Sequence, residues 1–550
     1  MIRDDIAQLI REAVQRAQQQ GTLPPVTLAE VPLEHPQNPE HGDYASSLPL
    51  KLARAARMRP IEIGEAIAQN FPQSDVVGKV EIAPPGFMNI TLDKSWLARQ
   101  VDAIITEGEQ FGNVPLGHGE LIQIEFVSAN PTGPLTAASG RGGALGDTLA
   151  NVLAAAGYDV RREYYVNDAG SRMEAFFETV FARYLQTQGL PAEIPPEGYH
   201  GTYVADLAGE IAADHGDRFL KIPREQAVAE IGAIALDKMI EAAKSVLADL
   251  GVVYDCWFSE QSLYDRSLVR KTIDLLGERG YTDEREGALW FVSSALGENK
   301  DNVLVRSNGI PTYFASDISY HYDKFLVRKF EQVIDVFGAD HQGHVPRLKA
   351  AVAALGVEPD RLRIIVHQMI TLRRGAEVVR MSKRTGDLVS LREVIDEVGA
   401  DACRFFFLSR SADSQMDFDL ELAKRQSAEN PVYYVQYAHA RIASILRYAG
   451  TIDYSDGNVL LLQSEPELTL IRKMLQLPEL VESAAQLLEP HHLPYFAQDL
   501  AAAFHSFYKQ CRVVSEDVEM TKARLKLAQA AKVALARTLT LMGVSAPEQM

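Results

Sequence analysis

The period with which apolar and polar positions alternate changes along the chain, and the first change separates a small N-terminal unit from the rest. Residues 1–20 repeat apolar side chains on one helical face, and residues 44–71 predict two more helices that separate at Pro60. Residues 80–92 instead alternate like two strands joined by a turn. Together these patterns predict an α+β domain over residues 1–112.

Buried-type strands followed by helices take over after residue 113. Four apolar runs have the length and composition of strands that are covered on both faces. They lie at 121–127, 159–166, 332–337 and 363–370. This order predicts an α/β fold with a doubly wound, Rossmann-like parallel sheet over residues 113–429, interrupted by a helical insertion at about 175–260.

From residue 430 to the end the pattern is almost purely helical. The amphipathic segments lie at 431–449, 465–488, 493–511 and 519–543. They predict a C-terminal helical bundle over residues 430–550. No segment reaches the roughly 18 uninterrupted apolar residues of a membrane span, and the first helix lacks the apolar centre of an export signal. We therefore expect a soluble protein of the cytoplasm.

Composition narrows the class of function. The 550 residues are 47% hydrophobic and 23% charged, as in an ordinary globular protein, and have a formal net charge of −19. Such acidity argues against a general nucleic-acid coat protein, although it leaves room for a local basic face. Cys256, Cys403 and Cys511 lie far apart without metal-ligand spacing, so we expect a reducing compartment and no structural metal.

The most informative stretch is FVSANPTGPLTAASGRGGALGDTLANVL, residues 126–153, in which a strand leads through a Pro/Gly loop into a helix. A dinucleotide-binding fingerprint does not fit, because its glycines must follow the strand directly and here about a dozen residues intervene. No G-x-x-x-x-G-K-[ST] loop occurs either. Close helix packing explains the glycines at 140–146 better, and the helix N-terminus can attract an anion such as a triphosphate.

Two motifs far apart in the chain indicate a family. Residues 125–135, EFVSANPTGPL, followed by Gly140-Arg141-Gly142, closely resemble the first signature of bacterial-type arginyl-tRNA synthetases. Residues 379–386, VRMSKRTG, resemble the second class I synthetase signature, the lysine-bearing loop. The resemblance extends over almost the entire chain. Further matching stretches lie at 42–44, 85–87, 198–203, 311–325, 338–341, 398–411, 430–442 and 542–550.

This resemblance implies an arginine–tRNA ligase. Such an enzyme lets the carboxylate of L-arginine attack the α-phosphate of ATP, expels pyrophosphate, and passes the arginyl group to a ribose hydroxyl of tRNA(Arg). Catalysis then rests on positioning and on charge stabilisation, for which a mobile lysine and Mg²⁺ bound with ATP are expected. By resemblance Lys383 is that lysine, and Met381 and Ser382 shape its loop around the nucleotide.

The resemblance also assigns contacts for arginine. Glu125 and Asp317 look like carboxylates that bind the planar guanidinium in a fork. Asn130 would hold the amino-acid head group, Tyr313 would pack against the substrate stem, and His341 would line the pocket. From the sequence alone, Asp317 could instead cap a helix and Tyr313 could fill the core.

Nucleotide and tRNA contacts follow in the same way. The ATP contacts are expected from Pro134, Ala138, Gly140, Gly338, Asp340, Met381 and Lys383. The tRNA contacts are expected from Tyr433, Tyr437, His439 and Arg441, because aromatic and guanidinium planes stack on splayed bases. Half of these tyrosines could equally be core residues on one helix face. The family resemblance further implies a monomer that must bind tRNA before it activates arginine.

The signature loop departs from the family at its centre. Where the family has histidine, an apolar residue, glycine and histidine, this chain has Thr136, Ala137, Ala138 and Ser139. A hydroxyl donates one hydrogen bond but lacks the reach and charge of imidazole, and losing a transition-state donor costs on the order of 10²–10³ in rate. We expect an active variant that uses Thr136, Ser139 and Lys383. The alternatives are a non-catalytic arginine- or tRNA-binding paralogue and an engineered signature in a working enzyme.

Overall fold

The structure is a computed structural model that describes residues 1–379 and 389–550. Its N-terminal part combines helices with a three-stranded antiparallel sheet of order β1–β3–β2. The helices are α1 (Ile2–Gln19), α2 (Leu48–Ala56), α3 (Pro60–Gln69) and α4 (Lys94–Glu107), and the strands are β1 (Tyr44–Ser46), β2 (Val77–Ala83) and β3 (Phe87–Leu92). The predicted elements are present. Strand β1, which pairs with β3, lies where the sequence predicted helix.

A five-stranded parallel sheet forms the central part of the chain, as the alternating pattern predicted. The strands of this part are β4 (Leu121–Phe126), β5 (Asp159–Val166), β6 (Cys256–Ser259), β7 (Thr282–Arg285), β8 (Ala288–Phe291), β9 (Asn302–Val305), β10 (Gln332–Gly338) and β11 (Leu362–His367). The parallel order is β11–β10–β4–β5–β6. The carboxyl ends of β4 and β10 therefore meet at one edge, where open α/β sheets bind ligands.

Helices surround this sheet and build the insertion. Helix α5 (Ala137–Ala155) follows β4, and α6 (Ser171–Thr187), α7 (Thr202–His215) and α8 (Arg224–Asp249) enclose a hydrophobic core of their own. The insertion is thus helical as predicted. Its predicted end is wrong, because residues 256–259 form β6, the edge strand of the main sheet.

Two small sheets and several short helices complete the central part of the chain. Strands β7, β8 and β9 form an antiparallel sheet, and β12 (Ile370–Arg374) pairs with β13 (Glu377–Val378) and β14 (Met416–Asp419). The helices are α9 (Gln261–Asp265), α10 (Leu268–Glu278), α11 (Tyr313–Tyr322), α12 (Val345–Ala354), α13 (Leu391–Val398), α14 (Ala400–Leu408) and α15 (Leu420–Ala423). Strands of two to five residues are too short to show a period, so the sequence did not predict these sheets.

The C-terminal part is the predicted helical bundle. Its helices are α16 (Pro431–Ala449), α17 (Glu465–Met474), α18 (Leu477–Leu487), α19 (His492–Gln510) and α20 (Val518–Leu541). The segment predicted as one helix at 465–488 is two, with a proline in the first turn of α18. Helix α4 packs on α17 and α20, and Lys526 lies 2.9 Å from Asp102 across this contact.

Two nearly inaccessible arginines join the parts of the chain. Arg404, 0% exposed, donates from Nη2 to Asp147 of α5 over 2.6 Å and from Nε to the Met542 carbonyl over 2.7 Å. Arg141, 1% exposed, donates to the carbonyls of Gln368 and Ser411, each over 2.8 Å. The start of α5 is therefore held by the segments that contain Gln368 and Ser411, and its middle is linked through Arg404 to the end of α20. Among the described helices, none is long and apolar enough to cross a membrane.

Candidate functional site

The loop between β4 and α5 is held in a strained shape. Val127 and Ser128 have positive φ values of 70° and 41°, although neither is glycine. Such conformations cost of order 1–3 kcal/mol and persist only where the surroundings impose them. Here three tyrosine hydroxyls fix the backbone. Tyr254 donates to the Phe126 carbonyl (3.1 Å), Tyr164 to that of Ala129 (2.9 Å) and Tyr203 to that of Thr132 (2.6 Å).

The altered signature residues form the first turn of α5. Thr136 is the residue before the helix, and its Oγ1 lies 3.4 Å from Oγ of Ser139. The Thr136 amide also donates to Ser139 Oγ over 3.3 Å. Both side chains are partly exposed, as is Ala138, whereas Pro134 is exposed. The two hydroxyls thus lie side by side at a helix N-terminus, where backbone N–H groups attract anions.

The glycines of this helix allow close packing against its neighbours. A Cβ on Gly140 would lie 2.5 Å from Leu391 Cδ1 and 2.9 Å from Phe407 Cε2. A Cβ on Gly146 would lie 2.2 Å from Phe126 Cγ. Gly140 therefore faces the interior, and close approach of α5 to its neighbours is what requires glycine there.

Residues 390 and 391, a few positions after the second signature, contact the start of α5. Ser390 forms a β-bridge with Thr136, and the Leu391 amide donates to the Leu135 carbonyl over 2.7 Å. The chain that follows the lysine-bearing loop thus returns to the start of α5. Met381, Ser382 and Lys383 themselves lie outside the described residues.

Glu125, one predicted guanidinium partner, already has partners from the protein. Its Oε2 accepts from Nζ of Lys324 over 2.6 Å, and its Oε1 accepts from Oγ of Ser128 over 2.9 Å. Lys324 is 0% exposed and also donates to Asp335 over 2.8 Å. The other carboxylate oxygen of Asp335, Oδ2, lies 2.9 Å from Nε2 of His321. Glu125 is thus fixed in place by an internal cation.

The charges of this cluster explain its pKa values. Burial raises the pKa of Glu125, and the negative charge of Asp335 raises it further. The positive charge of Lys324 opposes both effects. Burial alone would also raise the pKa of Asp335, but Lys324 and His321 hold it at about 2. Asp335 is therefore the stable counter-ion of Lys324, and Glu125 shares the same ammonium group.

Asp317 and Tyr313 lie one turn apart on α11, at positions i+4 and i of the same face. Asp317 is within the helix and does not cap it. Burial raises the pKa of its carboxyl, while His321 and Arg347 oppose the rise. Tyr313 is 44% exposed, so it does not fill the core, and a Cβ on Gly170 would lie 3.3 Å from its hydroxyl. Both alternative interpretations are therefore wrong.

Glu260 is a further carboxylate at this pocket that the sequence analysis missed. It is 2% exposed, and its Oε2 has no hydrogen-bond partner among the described residues. Burial raises its pKa to about 7; the hydroxyl of Ser316 opposes the rise, and the negative charges of Asp317 and Asp168 add to it. The hydroxyl of Tyr165, whose pKa is raised by burial, Glu260 and Asp317, is also buried and has no hydrogen-bond partner in the part of the chain that the structure describes. Unpaired buried acceptors of this kind favour a bound cation.

The remaining predicted contacts follow the ends of β4 and β10. Asn130 is exposed in the loop after β4. Gly338 ends β10, and a Cβ there would lie 2.7 Å from Asp340 Oδ1. Asp340 and His341 belong to the short 3₁₀ helix Ala339–His344, where their side chains are largely exposed and 3.5 Å apart. These residues therefore lie at the carboxyl edge of the sheet.

The aromatic and arginine side chains predicted to bind tRNA lie together on α16, with one exception. The rings of Tyr433 and Tyr437 are nearly parallel at 6.2 Å, and Arg441 donates to the Tyr437 hydroxyl over 2.8 Å. The Arg441 guanidinium also lies 4.5 Å from the ring centroid of Tyr508 on α19. His439 is instead 2% exposed, and its Nδ1 is 2.8 Å from the Pro547 carbonyl, so the prediction that it contacts tRNA directly is corrected.

Three family models together match most of the chain. Residues 4–92 match the arginyl tRNA synthetase N terminal domain, residues 217–442 the class I (R) tRNA synthetase catalytic domain, and residues 435–550 the DALR anticodon binding domain. The arginine–tRNA ligase of Dehalococcoides mccartyi strain BAV1 is 54% identical over 551 residues, which cover 100% of this chain and 99% of the relative. That of Carboxydothermus hydrogenoformans is 47% identical over 554 residues, again 100% and 99% of the two chains.

Solved structures of arginyl-tRNA synthetases have the same fold as this chain. An arginyl-tRNA synthetase structure from Campylobacter jejuni is 33% identical with a TM-score of 0.77 and covers 84% of this chain and 100% of its own. The Thermus thermophilus arginyl-tRNA synthetase, at 23% identity, has the same fold over 100% of both chains with a TM-score of 0.78. The predicted fold class and family are confirmed. The chain belongs to the arginyl-tRNA synthetases, the class I aminoacyl-tRNA ligases specific for arginine.

Proposed function

We propose that this ligase activates L-arginine with ATP and charges tRNA(Arg) through a signature loop that uses hydroxyls in place of imidazoles. The observation that supports the activity is the 54% identity to an arginine–tRNA ligase over 100% of the chain. The comparisons give the non-catalytic alternative no support. In the first step a carboxylate oxygen of arginine bonds to the α-phosphorus while the bond to pyrophosphate breaks. In the second, a ribose hydroxyl attacks the arginyl carbonyl and AMP leaves.

The N-terminal turn of α5 is the proposed triphosphate site. Thr136 and Ser139 donate to phosphate oxygens beside the helix N-terminus, with Pro134 and Ala138 against the nucleotide. Gly338 and Asp340, at the end of β10, approach the ribose. Lys383, in the loop that Met381 and Ser382 belong to, neutralises charge that develops at the phosphorus. Support comes from the β-bridge of Ser390 to Thr136, which returns the chain after that loop to this turn. Mg²⁺ enters bound to ATP, and we assign it no protein ligand.

The guanidinium of arginine binds between α11 and the end of β6. We assign Asp317 and Glu260 as its principal partners, because Glu260 has an unpaired buried oxygen and burial raises the pKa of both carboxyls. A guanidinium supplies the planar donors that two such carboxylates lack. Glu125 contributes negative charge from behind Lys324. Tyr313 covers the aliphatic stem of the substrate. Asn130 contacts its amino-acid head group, and His341 lines the pocket.

The anticodon of tRNA meets α16 and α19. We assign Tyr433, Tyr437 and Arg441 to base stacking, and add Tyr508 because it lies against Arg441. His439 has a structural role only. We divide the chain into the tRNA-binding domain 1–112, the catalytic domain 113–429 and the anticodon-binding domain 430–550, and expect a cytoplasmic monomer that binds tRNA before activation.

The decisive experiment is charging of purified tRNA(Arg) with radiolabelled arginine at enzyme concentrations well below that of tRNA. Multiple turnovers are expected, and Lys383→Ala should abolish them while leaving tRNA binding in a filter assay intact. Failure of the wild type to turn over, with tRNA still bound, contradicts the proposal. A variant with Thr136→His, Ala138→Gly and Ser139→His is the matched control for the hydroxyl-based loop. It should charge at nearly the wild-type rate.

A further inference from the structure

A second group of metal-binding side chains lies outside the candidate active site, in the turn between α18 and α19. Glu489, His491 and His492 offer ligand atoms that all lie within 4.8 Å of one another. Nε2 of His492 is 3.4 Å from Oε2 of Glu489, and the ring centroids of the two histidines are 4.1 Å apart. The sequence analysis tested cysteine spacing only and expected no structural metal, so it did not predict this group.

The spacing suits a transition-metal ion. Zn²⁺ binds imidazole nitrogen and carboxylate oxygen at about 2.0–2.2 Å in a tetrahedron, which separates neighbouring ligand atoms by roughly 3.3–3.5 Å. The measured distance between His492 and Glu489 already has this value. The ligand atom of His491 lies within 4.8 Å of the other two, close to the separation that a shared ion requires.

The backbone of this turn is well fixed. Leu488 ends α18 in a left-handed conformation with φ of 59°, which reverses the chain, and the Glu489 amide donates to the Ala484 carbonyl over 3.1 Å. Pro490, which is buried, accepts from the Leu493 amide over 3.1 Å at the start of α19. Ligands presented by a fixed four-residue segment lose little conformational entropy when they bind an ion.

The kinds of ligand atom in this group indicate which metal ion it would bind. Two imidazoles with one carboxylate are ligands that Zn²⁺ accepts, whereas Mg²⁺ prefers an all-oxygen octahedron.

We propose that Glu489, His491 and His492 bind one Zn²⁺ ion, with a fourth position open to water. The ion would fasten the α18–α19 turn at a contact between the helical bundle and the catalytic part. Tyr495, one turn further along α19, donates its hydroxyl to the Ser409 carbonyl at the end of α14 over 2.7 Å. Binding therefore stiffens this contact and raises the melting temperature of the full chain. The inference is independent of the proposed catalytic roles.

The test is titration of the full-length, chelator-treated protein with Zn²⁺ by calorimetry and with Co²⁺ by visible absorption. One equivalent is expected to bind, and excess Mg²⁺ should not displace it. His491→Ala and His492→Ala should each weaken Zn²⁺ binding at least about tenfold, and Zn²⁺ should raise the melting temperature of the wild type but not of the double variant. His215→Ala on α7 and Glu482→Gln on α18 are matched controls and should bind as the wild type does.

Three results overturn the proposal. They are no Zn²⁺ uptake by the wild type at submillimolar concentration, uptake that the double histidine variant retains, and displacement of Zn²⁺ by Mg²⁺. Circular dichroism of the double variant must match that of the wild type, so that a lost site is distinguished from a lost fold.

Discussion

Nζ of Lys324 lies 2.6 Å from Oε2 of Glu125, so a cation of the protein already occupies one side of a carboxylate expected to bind the substrate. The same ammonium lies 2.8 Å from Asp335 and is 0% exposed. Lys324 thereby neutralises the buried carboxylates of Glu125 and Asp335 and holds them in fixed positions. Free acceptor capacity for a guanidinium is left mainly at Asp317 and Glu260.

Removing Lys324 should destabilise the fold and weaken arginine binding together. Lys324→Met leaves Glu125 and Asp335 buried and facing each other, which is expected to cost about 3–5 kcal/mol in urea unfolding. Lys349→Met is the matched control, because Lys349 lies 4.0 Å from Asp360 at the surface, and it should cost less than about 1 kcal/mol. Equal effects of the two substitutions contradict the assigned role.

Arginine affinity should rise with pH through the neutral range. Burial raises the pKa of Glu260 to about 7, and a guanidinium binds only the ionised carboxylate well. Binding therefore lowers this pKa and releases a proton, so the Kd for arginine should fall from about pH 6 to about pH 8 and then level off. Glu260→Gln should weaken binding and remove this slope. A variant with an unchanged slope would assign the titration to another group.

Loss of both loop hydroxyls should slow charging without unfolding the enzyme. Thr136→Ala with Ser139→Ala removes two donors from the start of α5, and kcat should fall about 10²-fold or more. Ser464→Ala removes a hydroxyl from the residue before α17, far from the proposed triphosphate site, and as the matched control should leave kcat unchanged. A wild-type kcat in the double variant would place the triphosphate elsewhere.

Truncation of the α16 aromatic surface should affect tRNA alone. Tyr437→Ala and Arg441→Ala should each raise KM for tRNA about tenfold, because one stacked base loses its platform, and leave kcat nearly unchanged. Tyr448→Ala is the matched control on the same helix, since Tyr448 is 81% exposed outside this cluster. An equal rise of KM in the control would mean that the whole helix, and not this cluster, binds tRNA.

Two glycine-to-alanine substitutions should have opposite signs. Gly146→Ala places a methyl 2.2 Å from Phe126 Cγ and should destabilise by about 1–3 kcal/mol. Gly209→Ala on α7 meets nothing within 4 Å and should stabilise by about 0.5–1 kcal/mol, because alanine costs less backbone entropy in a helix. Thermal and urea unfolding of both variants measure the difference.

Long periodic segments made much of this fold predictable. Helix α5 and strands β4, β5, β10 and β11 appear where the pattern placed them, because each is long enough to show its period. Strand β6 has four residues and follows a helical insertion, so nothing local distinguishes it from a loop. It belongs to the sheet because β5 supplies hydrogen-bond partners, and that pairing is not encoded locally.

The candidate site was predictable only in part, for a related reason. Motif resemblance supplied Asp317, but Lys324 binds Glu125 across 199 positions of sequence, and no local pattern indicates such a pair. Glu260 belongs to no recognisable sequence motif, and only its burial in the structure singles it out as a candidate. The burial of His439 was within reach of sequence reasoning. At 3.6 residues per turn it points away from the face that Tyr437 and Arg441 share.

The buried guanidinium groups of Arg141 and Arg404 make the ligase sensitive to the identity of the residue incorporated at its own arginine codons. Each satisfies several acceptors at once, which lysine or an arginine analogue with fewer N–H donors cannot do without leaving buried oxygens unpaired. A copy of the enzyme translated with lysine at either position would therefore have a lower free energy of unfolding.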